Sequence, residues 1–375
     1  LDGWTNTAFY FEFHFIRVKI KGAMKMTAIL VSKHHPGVVS MARNLAEVTG
    51  AVKVHYIEDL FNSELLFRLE RRFFPHSFFS FTRSGIEKLV KEYDDRIILG
   101  GWSSIHEKIV NILNARGVKP SVMWCSTLGQ MEMTCRMGDY KALVSLLSLN
   151  KEGKIRYILF NERLFEEMGF IENSIYFPHT LNLDKFNAYF KPYPQNNSDA
   201  FNIDLFVAMR SGKNILAQIS AIKLSKYMSK IKLHINFKHT YIEQVITHWD
   251  VPVIKHNWLK WEEYLNLISG MHLSLQVTHT ESFNYAVAER MAMGVPSLVS
   301  CNIYNVCKDE FLRKYLCVEA VDSPAKIRER MDFILANPSL FLDLRQKVHE
   351  RINRVMREKN SLAAMLLNKL FYERP

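Results

Sequence analysis

The chain has no run of about 20 apolar residues, the length a helix needs to cross a bilayer. Its longest uncharged window of interest, Tyr264 to Thr280, is interrupted by Asn266, Ser269, Gly270, His272 and Ser274, so no membrane-spanning helix is expected. Cysteine is scarce: Cys125, Cys135, Cys301, Cys307 and Cys317 form an odd set without a Cys-x-x-Cys pair, which reads as free thiols in a reducing compartment and not as a disulfide framework. No basic stretch leads into an apolar segment and a small-residue cleavage site, so secretion is not signalled and a cytoplasmic location is expected. Gly-x-Gly-x-x-Gly, the P-loop pattern, Gly-x-Ser-x-Gly and His-Glu-x-x-His are all missing. No Asp-x-Asp occurs, and histidine pairs such as His234 with His239 or His272 with His279 lack ligand spacing. Neither a metal site nor a cofactor is expected.

What remains describes a large globular chain. At 375 residues, with 48% hydrophobic and 23% charged residues, it exceeds one ordinary core, and two domains are expected. The formal charge is +11, and its distribution is uneven. Between Leu205 and Ile242 stand Arg210, Lys213, Lys223, Lys226, Lys230, Lys232 and Lys238 with no acidic residue. A concentrated positive field suits an anionic ligand; a solvated lysine-rich helix face explains Lys223, Lys226 and Lys230 equally well.

Strand-like and helix-like segments alternate along the chain. Strands are expected over Met26–Ser32, Arg96–Leu99, Ser121–Cys125, Ile155–Phe160, Asn202–Ala208, Lys232–Asn236, His272–Val277 and Pro296–Ser300. Helices are expected over Val38–Val48, Ser104–Ala115, Glu162–Met168, Asn214–Met228, Trp261–Ile268, Asn284–Met293 and from Pro338 to about Phe371. This rhythm predicts an α/β fold of two Rossmann-like, doubly wound parallel-sheet domains facing a central cleft. The Pro-rich polar run Lys191–Ala200 reads as the linker (191–200) between a first domain over 26–190 and a second over 201–356. A final helix, about 357–375, can cross back onto the first domain. Residues 1–25 alternate Phe9, Phe11, Phe13 and Phe15 with polar neighbours and read as an N-terminal extension without assigned function.

Two segments carry candidate chemistry. Leu273 to Ser300 reads as a buried strand, a loop, a helix, a Gly turn and a second buried strand. The loop brings Glu281, Ser282, Phe283 and Asn284 to a helix N-terminus, where free N–H groups and the helix dipole favour anions. Glu289 follows two turns later. In the second segment, Arg210 and Lys213 lie in a strand-to-helix loop and can neutralise a diphosphate. In this setting Glu281-x7-Glu289, with Gly294-Val295-Pro296 behind it, resembles the retaining glycosyltransferases of the GT-B fold, family four. Ser282-Phe283-Asn284 stands where that family has Gly-Phe-Gly, and Arg210-x-x-Lys213-Asn214, shorter than the family's usual Gly-Arg loop with its Lys five residues on, resembles a variant seen in GT-B enzymes of phage and bacterial origin. Ile175 to Phe186 is similar to the segment preceding the family's linker, with His179 replacing its Asn, and Pro36-Gly37 occupies the place of its Gly-rich loop.

The resemblance implies a metal-independent transfer, with retention, from a nucleotide-diphospho-sugar. It assigns Arg210, Lys213 and Glu281 to catalysis, with Glu281 holding sugar hydroxyls and Glu289 the ribose. Ser282, Phe283, Asn284, Gly37, Asn236 and Asn257 complete the substrate-binding set. The acceptor stays open among nucleic acid, lipid and glycan, with peripheral membrane contact also open. The stretch Phe61–Arg83, rich in Phe and Arg, fits core packing with a solvated rim, an anionic membrane surface, or base stacking beside phosphates. A DNA-modifying glycosyltransferase acting on a hydroxylated base, and a non-catalytic nucleotide-sugar or polyanion binder on the same fold, are the alternatives.

Overall fold

The computed structural model describes residues 26–33, 35–60, 83–135, 137–193, 200–208, 210–257 and 259–371. The alternating segment before residue 26 and the Phe/Arg-rich stretch 61–82 lie outside them. Short β-branched and aliphatic runs form the strands. Thr27–Val31 (β1), Val52–Tyr56 (β2), Ile97–Gly100 (β3), Ser121–Met123 (β4), Ile158–Phe160 (β5) and Ser174–Tyr176 (β6) make one parallel sheet in the order β2-β1-β3-β4-β5-β6. Phe201–Leu205 (β7), Ile231–Ile235 (β8), Val253–Lys255 (β9), Leu273–Gln276 (β10), Ser297–Ser300 (β11) and Cys317–Val318 (β12) make a second in the order β12-β11-β10-β7-β8-β9. Central strands such as β1, β3 and β10 are buried at every position, as parallel sheets covered on both faces require.

Alternation in the sequence locates the central strands and misses β2, β6, β9 and the two-residue β12. All four are edge strands of five residues or fewer, with a weak or very short apolar run. The helices Leu128–Thr134 and Met137–Lys151 were not expected either; they are separated at Cys135, which takes a left-handed conformation. The helix expected over 214–228 is shorter, Ile215–Leu224. Ser225 ends it because its hydroxyl is engaged elsewhere, donating to Asp332 Oδ1 at 2.5 Å and accepting from the Tyr227 N–H at 3.0 Å, a local competition that unwinds helices.

Each sheet has its own core. Around the first gather Leu30, Ile97, Leu99, Val122 and Phe160 on one face and Ile29, Val31, Ile98 and Leu159 on the other. At Gly100 of β3 a Cβ would lie 2.7 Å from Val31 Cγ1 on β1 and 3.2 Å from Val38 Cγ1 on the Pro36–Thr49 helix, so a side chain there would displace both valines. The second core is a single large cluster. The Pro338–Phe371 helix serves both. Leu344, Val348, Ile352 and Met356, four residues apart, pack into the second core, and Ala363, Leu367, Leu370 and Phe371 pack into the first.

One buried cation ties the segment leaving the first sheet to the second domain. Arg345 is fully buried and donates to the carbonyls of Lys191 at 2.7 and 3.1 Å, Met271 at 2.9 Å and Ser269 at 3.4 Å. With no carboxylate bonded to it among the described residues, burial pushes its guanidinium down to about 10. Arg345→Ala leaves these carbonyls unsatisfied and opens a cavity, so it is expected to cost on the order of 3 kcal/mol in urea-unfolding measurements.

Candidate active site

The second sheet reverses its strand order between β7 and β10, which pair directly (Leu273 opposite Ile203) although two strands separate them in sequence. Such a switch point opens a crevice at the carboxyl ends of the strands. The two candidate segments are the loops that leave β7 and β10 there. They are laced together: the His279 N–H donates to the Gly212 carbonyl at 3.0 Å, and Asn214 Nδ2 donates to the Val277 carbonyl at 3.2 Å. Buried Gln218 donates to the Lys213 carbonyl at 2.8 Å and accepts from the Val277 N–H at 2.9 Å.

This lacing brings Lys213 against Glu281, and the two form a buried ion pair, Lys213 Nζ to Glu281 Oε1. Lys213 sits at the end of a 3-10 turn, Ser211–Lys213, just before the Ile215–Leu224 helix. Burial holds its ammonium below the ordinary lysine range, opposed by Glu281 and reinforced by the Arg210 charge. Arg210 is exposed at the start of the turn.

The Glu281–Asn284 loop is fixed from both sides. Asn284 caps the Tyr285–Ala292 helix, its Oδ1 accepting from the Val287 N–H at 3.2 Å. Neither Ser282 nor Asn284 has a positive φ. The glycines of the related motif are therefore not demanded by backbone conformation here, and Asn is a strong N-cap. The first domain supplies the other side. Arg163 donates to the Glu281 carbonyl at 2.8 Å, Asn161 Nδ2 to the Ser282 carbonyl at 3.2 Å, and the Ser282 hydroxyl to the Cys125 carbonyl at 2.7 Å. Thr127, buried, bonds Thr280 at 2.9 Å, and Gln130 donates to Glu281 Oε2 at 3.4 Å. Among the described residues the N–H groups of Ser282, Phe283 and Asn284 have no hydrogen-bond acceptor, which leaves them free for an anion.

Glu289 is half-buried on the same helix and accepts from the Tyr264 hydroxyl at 3.4 Å. Burial raises its carboxyl to about 7. Its neighbour Arg290 turns into the core, where it pairs with Asp204 of β7 at 2.5 Å, both fully buried, and donates to Tyr264 at 3.3 Å.

The remaining expected positions are scattered. Asn236, exposed beyond β8, accepts from the Val207 N–H at 3.2 Å. Asn257 is exposed beyond β9, and Gly37 lies in the first turn of the Pro36–Thr49 helix with open space around it. None of the three shows a contact with Lys213 or Glu281. Sequence reasoning missed Thr127, Gln130, Asn161 and Arg163, whose places follow only from domain apposition. It also gave His179 no role. His179 is buried against the rings of Phe283 and Tyr285, at 5.0 and 5.7 Å between centroids, and burial lowers it to about 3, so it is a neutral packing group beneath the loop. In the first sheet the order reverses between β1 and β3. There Trp102 Nε1 and the Nε2 of buried His106 lack hydrogen-bond partners, and burial holds His106 down to about 4. Among the described residues no group of three or more His, Cys, Asp or Glu side chains is placed to hold a metal ion, and no helix is long and apolar enough to cross a membrane.

No protein-family model matches the chain, and no curated protein matches it. Solved structures do. HepE from Anabaena, in complex with UDP-glucose, matches with a TM-score of 0.67 at 12% identity, over 92% of this chain and 99% of that one. Sucrose-phosphate synthase from Thermosynechococcus elongatus gives 0.67 at 14% identity over 92% and 99%. A UDP-forming α,α-trehalose-phosphate synthase from Burkholderia xenovorans gives 0.60 at 12% over 92% and 98%. The chain has the GT-B fold of two facing parallel-sheet domains.

Glu289 offers a direct test of the electrostatics. Its folded pKa lies above the unfolded value, so its stabilising contribution is fully present below about 4.5 and lost as pH rises through about 7. Glu289→Gln mimics the protonated acid. It is expected to match the wild type near pH 4.5 and to exceed its stability by about 1–3 kcal/mol at pH 8, read from denaturant midpoints at the two pH values.

Proposed function

We propose that the chain is a glycosyltransferase that moves a sugar from a nucleotide-diphospho-sugar to a hydroxyl acceptor. The observation that carries this reading is the buried Lys213–Glu281 pair at the switch point, flanked by the free N–H groups of Ser282 to Asn284 and by Arg210. The GT-B fold, shared with a protein whose structure holds UDP-glucose, supports it as an analogy of architecture.

In this reading Arg210, Lys213 and the loop N–H groups hold the diphosphate. As the bond from the anomeric carbon to the diphosphate breaks, charge grows on the leaving oxygen, and prearranged cations and N–H donors lower that barrier most. Glu281 keeps the Lys213 ammonium charged in a buried setting. When phosphate takes over Lys213, the Glu281 carboxylate is freed toward the sugar hydroxyls. Glu289, as its carboxylate, accepts from the ribose. No residue is asked to hold a metal, and the sugar leaves with retention.

The first experiment is a thermal-shift screen of nucleoside diphosphates and their sugars. A donor at about 100 times its Kd is expected to stabilise by about 2.7 kcal/mol, and the absence of a shift with every nucleotide at millimolar concentration defeats the reading. Variants then assign roles. Removing one partner alone strands a buried charge, so the neutral double variant Lys213→Met/Glu281→Gln accompanies Lys213→Met. Both are expected to lower turnover, including donor hydrolysis, by about 100-fold or more, with the double variant folded at wild-type secondary-structure content. Near-normal turnover in the double variant rejects the assignment. Because Lys213 must be protonated to bind diphosphate and its pKa is depressed by burial, the alkaline arm of the pH–activity profile is expected to fall earlier than for a free lysine. Arg210→Ala, which removes a repelling charge, is expected to move that arm to higher pH.

A further inference from the structure

Three of the five cysteines, scattered in sequence, meet in space. Cys301 follows β11 directly, Cys307 ends the Tyr304–Cys307 helix, and Cys317 opens β12, which pairs with β11. The sulfurs of Cys307 and Cys317 lie 2.8 Å apart, and Cys301 lies near enough for the three thiols to influence one another's ionisation. Cys301 is exposed, Cys307 half-buried and Cys317 only 3% exposed. Accessibility therefore falls from Cys301 through Cys307 to Cys317, and the two inner sulfurs are in contact.

We propose that this cluster is a thiol-modification site in which exposed Cys301 captures a small-molecule disulfide and passes the oxidation inward, ending as a Cys307–Cys317 disulfide. In the first step the Cys301 thiolate attacks the small disulfide. That S–S bond breaks, one half leaves as a thiolate, and the other half stays bonded to Cys301. The Cys307 thiolate then attacks the Cys301 sulfur and expels the second half, forming a Cys301–Cys307 bond. Attack by Cys317 on the Cys307 sulfur releases Cys301 and leaves Cys307–Cys317. In sum, one small disulfide is reduced to two thiols, two protein thiols are oxidised to one disulfide, and the protons of Cys307 and Cys317 go to the departing thiols.

Exchange of this kind needs a thiolate, an accessible first sulfur and a resolving thiol in contact. A hydrogen bond from Cys317 holds the Cys307 thiol below its ordinary range, helped by the Arg313 guanidinium, whereas burial raises the Cys301 thiol and the bond to Cys307 raises the Cys317 thiol, so the attacks by these two sulfurs are the slow steps. The cluster also sits where a change would be felt. Asn302, next to Cys301, donates to the His279 carbonyl at 2.8 Å, and the His279 N–H holds Gly212 in the Lys213 turn. On the other side Tyr304 donates to Glu166 at 2.5 Å and Lys308 pairs with Glu162 and Glu166 at 2.8 and 2.9 Å, all across the domain seam.

The test uses the reduced full chain and glutathione disulfide as the probe, with free thiols alkylated at time points and peptides mapped by mass without reduction. The expected result is a Cys307–Cys317 crosslink preceded by glutathione on Cys301. Exposed Cys135, in the first domain, is expected to carry glutathione without a crosslink. In Cys301→Ser the crosslink is expected to form at least about tenfold more slowly, and in Cys317→Ser the Cys301–Cys307 bond is expected to accumulate. Recovery of Cys301, Cys307 and Cys317 all as alkylated thiols while Cys135 is modified overturns the site. A crosslink forming as fast in Cys301→Ser as in the wild type overturns the relay. Neither readout depends on a nucleotide sugar, so the outcome stands apart from the proposed activity.

Discussion

The buried contact between Lys213 and Glu281 is the constraint from which the candidate site follows. Two opposite charges removed from water are tolerable only when geometry is fixed and remaining polar groups are satisfied. Here both loops are locked before the charges meet. Gln218 joins the Lys213 carbonyl to the Val277 N–H, Asn214 reaches the Val277 carbonyl, and the His279 N–H reaches Gly212. Each of these bonds links the exit of β7 to the exit of β10. They exist because the chain places β10 beside β7 after building β8 and β9 on the other flank. The topology creates the crevice, and the lacing sets the ammonium and carboxylate within it.

A second buried pair works one layer below. Asp204 lies in the buried strand β7 and Arg290 in the last turn of the Tyr285–Ala292 helix, and neither is exposed. Their pairing fixes the rotation of the Tyr285–Ala292 helix against β7, which puts Glu289 on the adjoining face and the helix start at the switch point. Tyr264 links the two levels by accepting from Arg290 and donating to Glu289. The adjacent residues Glu289 and Arg290 thus meet opposite surroundings. One carboxyl is left without a full counter-charge and rises to about 7, while the guanidinium beside it is held charged by Asp204.

Much of this was legible in sequence because parallel strands are written as uninterrupted apolar runs. Thr27–Val31 and Ile97–Gly100 announce themselves in this way, whereas Leu273–Gln276 carries Ser274 and Gln276 and is read from its place in the β-α alternation. The motif around Glu281 and the Arg210–Asn214 segment read as neighbours, and the structure brings these two loops together. The motif could not show that Glu281 and Lys213 engage each other, because that contact joins residues 68 apart in sequence. Nor could it name Gln130, Asn161 or Arg163, which reach the loop from the other domain and lie on short helices or their caps with ordinary local sequences. Asn284 is the instructive substitution. Read against a glycine motif it looks like a loss, but its backbone is extended and its side chain caps the helix.

The seam between the domains differs in kind from the cores on either side. Around the site it consists of directional polar contacts: Thr127 with Thr280, Gln130 with Glu281, Asn161 and Ser282, Arg163 and the Glu281 carbonyl. Polar contacts of this sort exchange for water at small net cost, so they can break and re-form as a ligand enters. The Pro338–Phe371 helix is the opposite case. Its apolar side chains are committed to the second core up to Met356 and to the first from Ala363 onward. Between them Asn360 donates to and accepts from the backbone of Leu181 at 2.8 and 3.1 Å. Separating the sheets there would expose apolar surface from both cores, at roughly 25 cal/mol for each Å². The two cores are thus tied by apolar packing along this helix, and the loops around Glu281 are tied by polar contacts.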